Sequence, residues 1–319
     1  MSPTHQRATF RSLFLGNESR PMAAGKTGGL KRYYDLSGWL FIAPSLILIA
    51  IFLVYPIIRS LYLSFFSGKG MMMKFAGFGN VARLWNDPVF HQALINTVTF
   101  FVVQVPIMIV LALMLASVLN NDRLKFIGFF RTAIFLPCVA SLVAYSVLFK
   151  SMFSVDGVVN QALFSIGLVD APIGWLTEPF WAKVLVILAI TWRWTGYNMI
   201  FYLAALQNID KSIYEAARID GVPAWARFLY ITIPMLKPVI LFTTIISTIG
   251  TIQLFDEVYN LTEGRGGPAN ATITLSLYIY NLTFRFMPSF GYAATISYVI
   301  VIMVALLSFL QFYAARDRS

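Results

Sequence analysis

Six polar side chains sit where a chain this apolar has few: Arg193, Tyr197 and Asn198 on one long hydrophobic stretch, and Thr248, Gln253 and Asp256 on or beside another. An aromatic ring offers a flat apolar face, and amides and carboxylates bond hydroxyls, so together they supply the groups that hold a sugar-like ligand. An arginine is costly in lipid and is a functional candidate by default. The competing reading of Arg193, flanked by Trp192 and Trp194, is a structural residue that pairs between helices. Thr243, Thr244, Ser247, Thr248 and Thr251 can bond their own helix carbonyls and serve packing. Gln253 and Asp256, three apart, should share a helical face.

Reactive chemistry is sparse by comparison. The histidines are His5 and His91, and Cys138 is the single cysteine, so neither a disulfide nor a Cys/His metal site can be built from this chain alone. Gly25-Lys26-Thr27 resembles the end of a phosphate-binding loop, but Arg20 stands where that loop needs a glycine, and no strand precedes it. Three Asn-X-Thr triplets, at Asn260, Asn270 and Asn281, carry no assigned role. No catalytic constellation emerges, the chain needs no cofactor of its own, and an enzymatic reading has no support.

The elements that must position the polar residues are membrane helices. Of 319 residues, 58% are hydrophobic and 12% charged, against roughly 25% charged in soluble domains. Six stretches, residues 40–58, 94–119, 132–149, 184–208, 239–255 and 287–315, approach or exceed the length of about 20 mostly apolar residues that spans a hydrocarbon core. Runs of this length satisfy their backbone only as helices, which predicts an all-α polytopic bundle of six transmembrane helices over residues 37–319. Residues 1–36 are polar and basic and are expected to form a cytoplasmic tail. With that tail inside, fifteen Lys and Arg fall on inner segments against five in clearly outer loops, which places both termini in the cytoplasm. The formal charge of +10 follows from this orientation, and no soluble basic domain remains to bind nucleic acid. Between the third and fourth spans, Val159, Leu163 and Ile166 recur at helical spacing, which fits an amphipathic helix either lying in the interface or packed on the bundle.

One inner loop, about residues 209–234, stands out as polar and punctuated by Gly and Pro. Ser212 with Glu215 three residues on reads as a capping box that starts a short helix, and Gly221 suits its left-handed end. Pro223 suits the first turn of a second short helix running to Pro234. Ala216 and Ala217 keep one face small enough for close approach by a partner.

Glu215-Ala216-Ala217, then three residues and Gly221, then nine residues and Ile231-Thr232-Ile233-Pro234, resembles the EAA signature of permease subunits in bacterial binding-protein-dependent ABC importers. Trp175-Leu176, Trp192 with Gly196, residues 203–207, Tyr214, Asp220, the turn over residues 261–268 and Thr272 are similar to the carbohydrate branch of that family, with Arg265 interrupting a turn that is usually Gly-Gly-Pro. The resemblance extends over residues 37–315. It implies the transmembrane domain of a type I importer in the bacterial inner membrane, partnered by a second homologous permease, two copies of a cytoplasmic ATPase that uses the ATP, and a periplasmic sugar-binding protein. It also implies that Glu215, Ala216, Ala217, Asp220, Gly221 and Pro234 couple to the ATPase. Arg193, Tyr197, Asn198, Thr248, Gln253 and Asp256 would lie on the carbohydrate's path. The rival class is an ion-coupled secondary transporter of a small polar solute, which would call for paired carboxylates within the spans.

Overall fold

The computed structural model describes residues 27–70, 72–121, 124–286 and 288–316. Residues 1–26, with His5, Gly25 and Lys26, and also Arg123, Met287, Arg318 and Ser319, lie outside the described residues. The chain divides into two compact units, Met1–Arg59 and Ser60–Ser319.

In the first unit, α1 (Thr27–Ile49) runs into a π turn at Ala50–Val54. Residues 27–36 are therefore helical. The wide turn stands just before Pro56. A proline has no N–H for the carbonyl four residues back and crowds it, and the helix responds with a five-residue bond from Tyr55 N–H to Ala50 O. The helix continues as α2 (Tyr55–Ser64) across the unit boundary.

The second unit opens with a feature that hydropathy hides, a hairpin of β1 (Phe66–Lys69) and β2 (Met72–Phe75), antiparallel with Phe66 opposite Phe75 and Lys69 opposite Met72. On α3 (Gly79–Trp85), Asn80 donates to the carbonyls of Ser64 and Phe66, at 2.8 Å each. Asp87 starts α4 (Pro88–Leu119), accepting from the amides of Val89 at 2.9 Å and Phe90 at 3.2 Å. Its other oxygen accepts from the hydroxyls of Tyr278 and Tyr292 at 2.6 Å each. Burial pushes the Asp87 carboxyl up, but these four bonds favour its charged form more strongly and hold it below its ordinary value.

The third apolar stretch is not one straight span. It is α5 (Ile127–Val139) and α6 (Leu142–Met152), bent by 100°. Pro137 lies in the last turn of α5, and Ala140 and Ser141 take extended ψ values of 145° and 131°. The break leaves the composition apolar, so a hydropathy count cannot see it.

On α7 (Val158–Ser165), Val159 and Leu163 pack against the core while Ile166 is exposed. Buried Asn160 staples this helix to the unit, accepting from Trp175 Nε1 at 3.0 Å and donating to the carbonyls of Ser154, Val155 and Ile173. The helix thus packs on the bundle through Val159 and Leu163 while Val158 and Phe164 stay exposed. The chain then forms α8 (Pro179–Gln207), α9 (Lys211–Ile219), α10 (Ala224–Arg227), a second π turn at Phe228–Thr232, α11 (Ile233–Ile252), α12 (Asp256–Thr262), α13 (Leu275–Tyr280), a third π turn at Asn281–Arg285 and α14 (Phe290–Arg316).

Among the described residues, five helices are long and apolar enough to cross a membrane, and the bent α5–α6 pair makes a sixth if taken as one span. Two packed clusters hold the second unit together. One gathers Phe100, Leu185, Ile190, Ile252 and Tyr292, and the other Met199, Tyr202 and Leu236. In lipid such contacts act through close packing rather than through expulsion of water. Gly196 shows how close that is, because a Cβ there would sit 2.1 Å from the carbonyl oxygen of Ile134 on α5.

Candidate functional site

Along α8, Ile190 belongs to one packed cluster and Met199 to the other. The residues between them open onto a cavity of about 610 Å³, lined by α4, α6, α8, α11 and the start of α12. That volume lies within the roughly 300–1,000 Å³ typical of small-molecule sites. Arg193, Tyr197, Asn198, Gln253 and Asp256 all line it, so five of the six residues singled out from the sequence converge.

Thr248 does not. It is fully buried, donates to Thr244 O at 2.7 Å and accepts from Gln311 Nε2 of α14 at 2.7 Å, so it joins two helices away from the cavity. Gln253 and Asp256 reach the cavity by a different route from the one expected. α11 ends at Ile252, with Gln253 as its C-cap, and Asp256 begins α12, so they sit on either side of a turn and share no helical face.

Arg193 fulfils the structural reading while also lining the cavity wall. Its guanidinium donates to the carbonyls of Pro137, Ala140 and Cys138 at 3.3 to 3.4 Å, the groups released where α5 breaks. Its Nε lies 3.7 Å from Glu257 Oε1, and both side chains are nearly buried, at 11% and 7% exposure. Glu257 also accepts from Trp194 Nε1 at 3.0 Å. Removing one member of such a buried pair strands the other, at a cost of about 3–5 kcal/mol.

Sequence reasoning missed Gln104, Met108, Trp194 and Glu257 as cavity residues. Gln104 had a usable signal, an amide in the middle of an apolar span. Its Oε1 accepts from Thr251 Oγ1 at 2.9 Å, and its Nε2 reaches Met108 Sδ at 3.2 Å. Asn198 Nδ2 points at the same sulfur at 3.4 Å and donates to Trp194 O at 3.0 Å. A thioether is a weak acceptor, so two amide donors from different helices are held on a soft partner that a hydroxyl would outcompete. Trp194, Tyr197 and Phe201 form an edge-to-face run, with centroids 5.8 and 5.0 Å apart.

The polar loop is built locally. Asp210, not Ser212, caps α9: its carboxylate accepts from Ser212 N at 2.9 Å, which also lowers the Asp210 pKa. The capping-box reading is thus corrected, because Ser212 lies inside the first turn as a donor, and Glu215 is exposed. At the other end, Val222 N–H reaches Ala217 O at 2.9 Å and Gly221 N–H reaches Arg218 O at 3.1 Å, with Gly221 at φ +72°. This is a Schellman ending. Asp220 is the C-cap. Pro223 is the N-cap of α10 rather than a residue of its first turn. The second helix also does not stop at Pro234, where the second π turn lets it run on into α11 by the same device as at Pro56. Ala216 is exposed and Ala217 buried, so only the first presents a small surface outward. Ile219 is 86% exposed and Trp225 63%. In the turn over residues 261–268, Arg265 is exposed while Gly264 and Gly266 are buried, so the interrupting side chain stays outside the fold of the turn.

A model of the family described as "Binding-protein-dependent transport system inner membrane component" matches residues 86–319. The chain is 75% identical to the lactose transport system permease protein LacF of Rhizobium radiobacter, over 93% of this chain and all of that protein. It is 33% identical to the arabinooligosaccharides transport system permease protein AraP of Bacillus subtilis, over 91% of this chain and 93% of that one. Its fold matches a chain of a bacterial ABC transporter involved in the import of the acidic polysaccharide alginate, with a TM-score of 0.74 at 25% identity over 91% of this chain and 99% of that one. A bacterial alginate ABC transporter in complex with an alginate-pentasaccharide-bound periplasmic protein matches with a TM-score of 0.76, also at 25% identity, over 90% of this chain and 96% of that one. The chain therefore belongs to the family of binding-protein-dependent transport system inner membrane components, as a multi-pass permease subunit of an ABC importer.

Proposed function

We propose that this permease carries a carbohydrate of disaccharide or small oligosaccharide size through the cavity between its two packed clusters. The observation that carries the reading is the lining itself: the rings of Trp194 and Tyr197 beside the amides of Gln104, Asn198 and Gln253 and the carboxylate of Asp256. The rings supply flat contact to a sugar face and the polar groups answer its hydroxyls. The 75% identity to a lactose permease supports a disaccharide of that kind.

In this reading the chain forms half of the pathway with a second homologous permease, two copies of a cytoplasmic ATPase and a periplasmic sugar-binding protein. Both termini and the loop over residues 209–234 face the cytoplasm, as the Lys and Arg distribution favours. ATP is bound and hydrolysed by the partner subunit. Exposed Glu215, Ala216, Ile219 and Trp225 give the ATPase a surface to grip, and α9, capped at both ends, moves with it as one piece. A partner shifts the access equilibrium only by its differential affinity for the two states, so the ATPase must hold this loop in both. A cysteine replacing Lys211, in a Cys138→Ala background, should be shielded from an impermeant thiol reagent applied outside, and one replacing Lys69 should react. The reverse pattern would overturn the orientation.

The deciding experiment is uptake by the reconstituted complex. Tyr197→Ala and Gln253→Leu should each lower sugar uptake roughly ten- to hundredfold, about 1.4 kcal/mol per factor of ten, with assembly and basal ATPase activity retained. Uptake unchanged in both would place the substrate on the partner permease. Gradient-driven uptake by this chain alone would establish the ion-coupled alternative.

A further inference from the structure

We propose that the cavity is a charge filter that admits uncharged saccharides and rejects anionic ones, with Glu257 and Asp256 as its specificity-determining residues. The proposal rests on the reading of the cavity as the transport path, and it concerns what that path refuses.

Among the lining residues Arg193 is the single cation. A buried guanidinium beside aromatic rings would ordinarily be the place for a carboxylate or sulfonate on a ligand, because its planar fork matches such anions. Here that charge is already countered, although Nε makes no hydrogen bond of its own. Two of its nitrogens donate to the carbonyls of Pro137, Ala140 and Cys138, the third faces Glu257 at 3.7 Å, and its carbon lies 5.3 Å from the centre of the Tyr145 ring. The break between α5 and α6 and the first turn of α12 thus neutralise the one group that could welcome an anion.

Asp256 adds the repulsive element. It lines the cavity, is exposed, and stands next to Glu257 in the first turn of α12. With Arg193 positive and both carboxylates negative, the lining carries a formal charge of −1. A neutral sugar offers hydroxyl donors to these carboxylates and is bound by them. An anionic sugar loses hydration, meets like charge in a medium of low dielectric, and finds Arg193 already paired with Glu257. Rejection by repulsion is as effective a route to specificity as a better fit.

The test compares lactose with its carboxylate analogue lactobionate, each binding to the assembled complex in nanodiscs. The readout is the ratio of the two affinities, which a general loss of binding does not move. Wild type should prefer lactose at least about tenfold. Asp256→Asn and Glu257→Gln should each narrow the ratio by about tenfold, and the double variant, whose lining is positive, should bring it to unity or reverse it. Asp256 is exposed and makes no buried pair, so its variant keeps the test alive if Glu257→Gln fails to fold. Lactose binding that Tyr197→Ala leaves intact, or no lactose binding by wild type, overturns the transport-path reading and the filter with it. Lactose binding that needs Tyr197, with a ratio that neither charge variant moves, overturns the filter alone.

Discussion

The loop over residues 209–234 and the cavity are joined by the same two helices, α8 and α11, yet they are assembled by opposite rules. The loop is shaped by bonds that close within about twenty residues: Asp210 to Ser212, Val222 to Ala217, Gly221 to Arg218, Arg227 Nη1 to Val222 O at 2.8 Å, and Tyr214 to Thr232 at 3.0 Å. The cavity is closed by partners far apart in sequence, with Thr251 on Gln104, Arg193 on Pro137 and Cys138, and Trp194 on Glu257. A locally built element keeps its shape while the bundle around it changes access, which suits a lever. A site built from distant elements changes shape whenever those elements shift, which suits a binding site that must open to alternate sides.

The comparison breaks if one substitution has the same effect in both regions, and glycine to valine is the sharpest such probe. At Gly196 the added Cβ would meet the Ile134 carbonyl at 2.1 Å, an atom of another helix backbone that has no rotamer to escape into. Gly196→Val should therefore separate α5 from α8, cost about 1–3 kcal/mol or more, and lower the thermal stability of the purified chain in detergent along with its transport. At Gly221 a Cβ would meet nothing within 4 Å, and the penalty comes only from φ +72°. Gly221→Val should cost about 1–3 kcal/mol of local strain, leave stability and insertion near wild type, and abolish ATPase association or transport. Equal loss of stability in the two variants would show that the loop is as integral to the bundle as the helix contact.

The same division explains what could be read from the sequence. Gly221 and the two-helix shape of the loop were legible because their causes are local, a left-handed position and a short polar stretch punctuated by Gly and Pro, whereas the helix end expected at Pro234 is not there. Even there Asp210 and Ser212 are both cap-forming residues two positions apart, and only the conformation of the first turn decides between them. The six apolar stretches were legible from length alone, but the 100° break was not, since Ala140 and Ser141 interrupt no hydropathy pattern and the carbonyls they release are satisfied by Arg193, more than fifty residues on. Convergence of Tyr197, Asn198, Gln253 and Asp256 followed from polar residues in spans. Thr248 lies off the cavity, since a hydroxyl in a helix marks either face equally. The end of α11 at Ile252 failed because neither Gly nor Pro announces it.

The smallest expected effect separates the two functions that a capping box would have merged in Glu215. Glu215 accepts no capping bond and Asp210 does, so removing each should now have a different signature. Asp210→Ala should fray the start of α9 by removing its cap, visible as faster amide exchange over residues 211–214, with transport reduced in proportion to the loss of helix. Glu215→Ala removes an exposed carboxylate from a helix that keeps its cap, so amide exchange should stay at wild-type rates while ATPase affinity falls by a few-fold, the scale of one exposed ion pair worth up to about 1 kcal/mol. Raised salt should weaken wild-type ATPase binding and leave Glu215→Ala less affected. Should Glu215→Ala instead accelerate exchange over the first turn, the carboxylate supports the helix itself, and the small patch around Ala216 rather than the charge is what the partner meets.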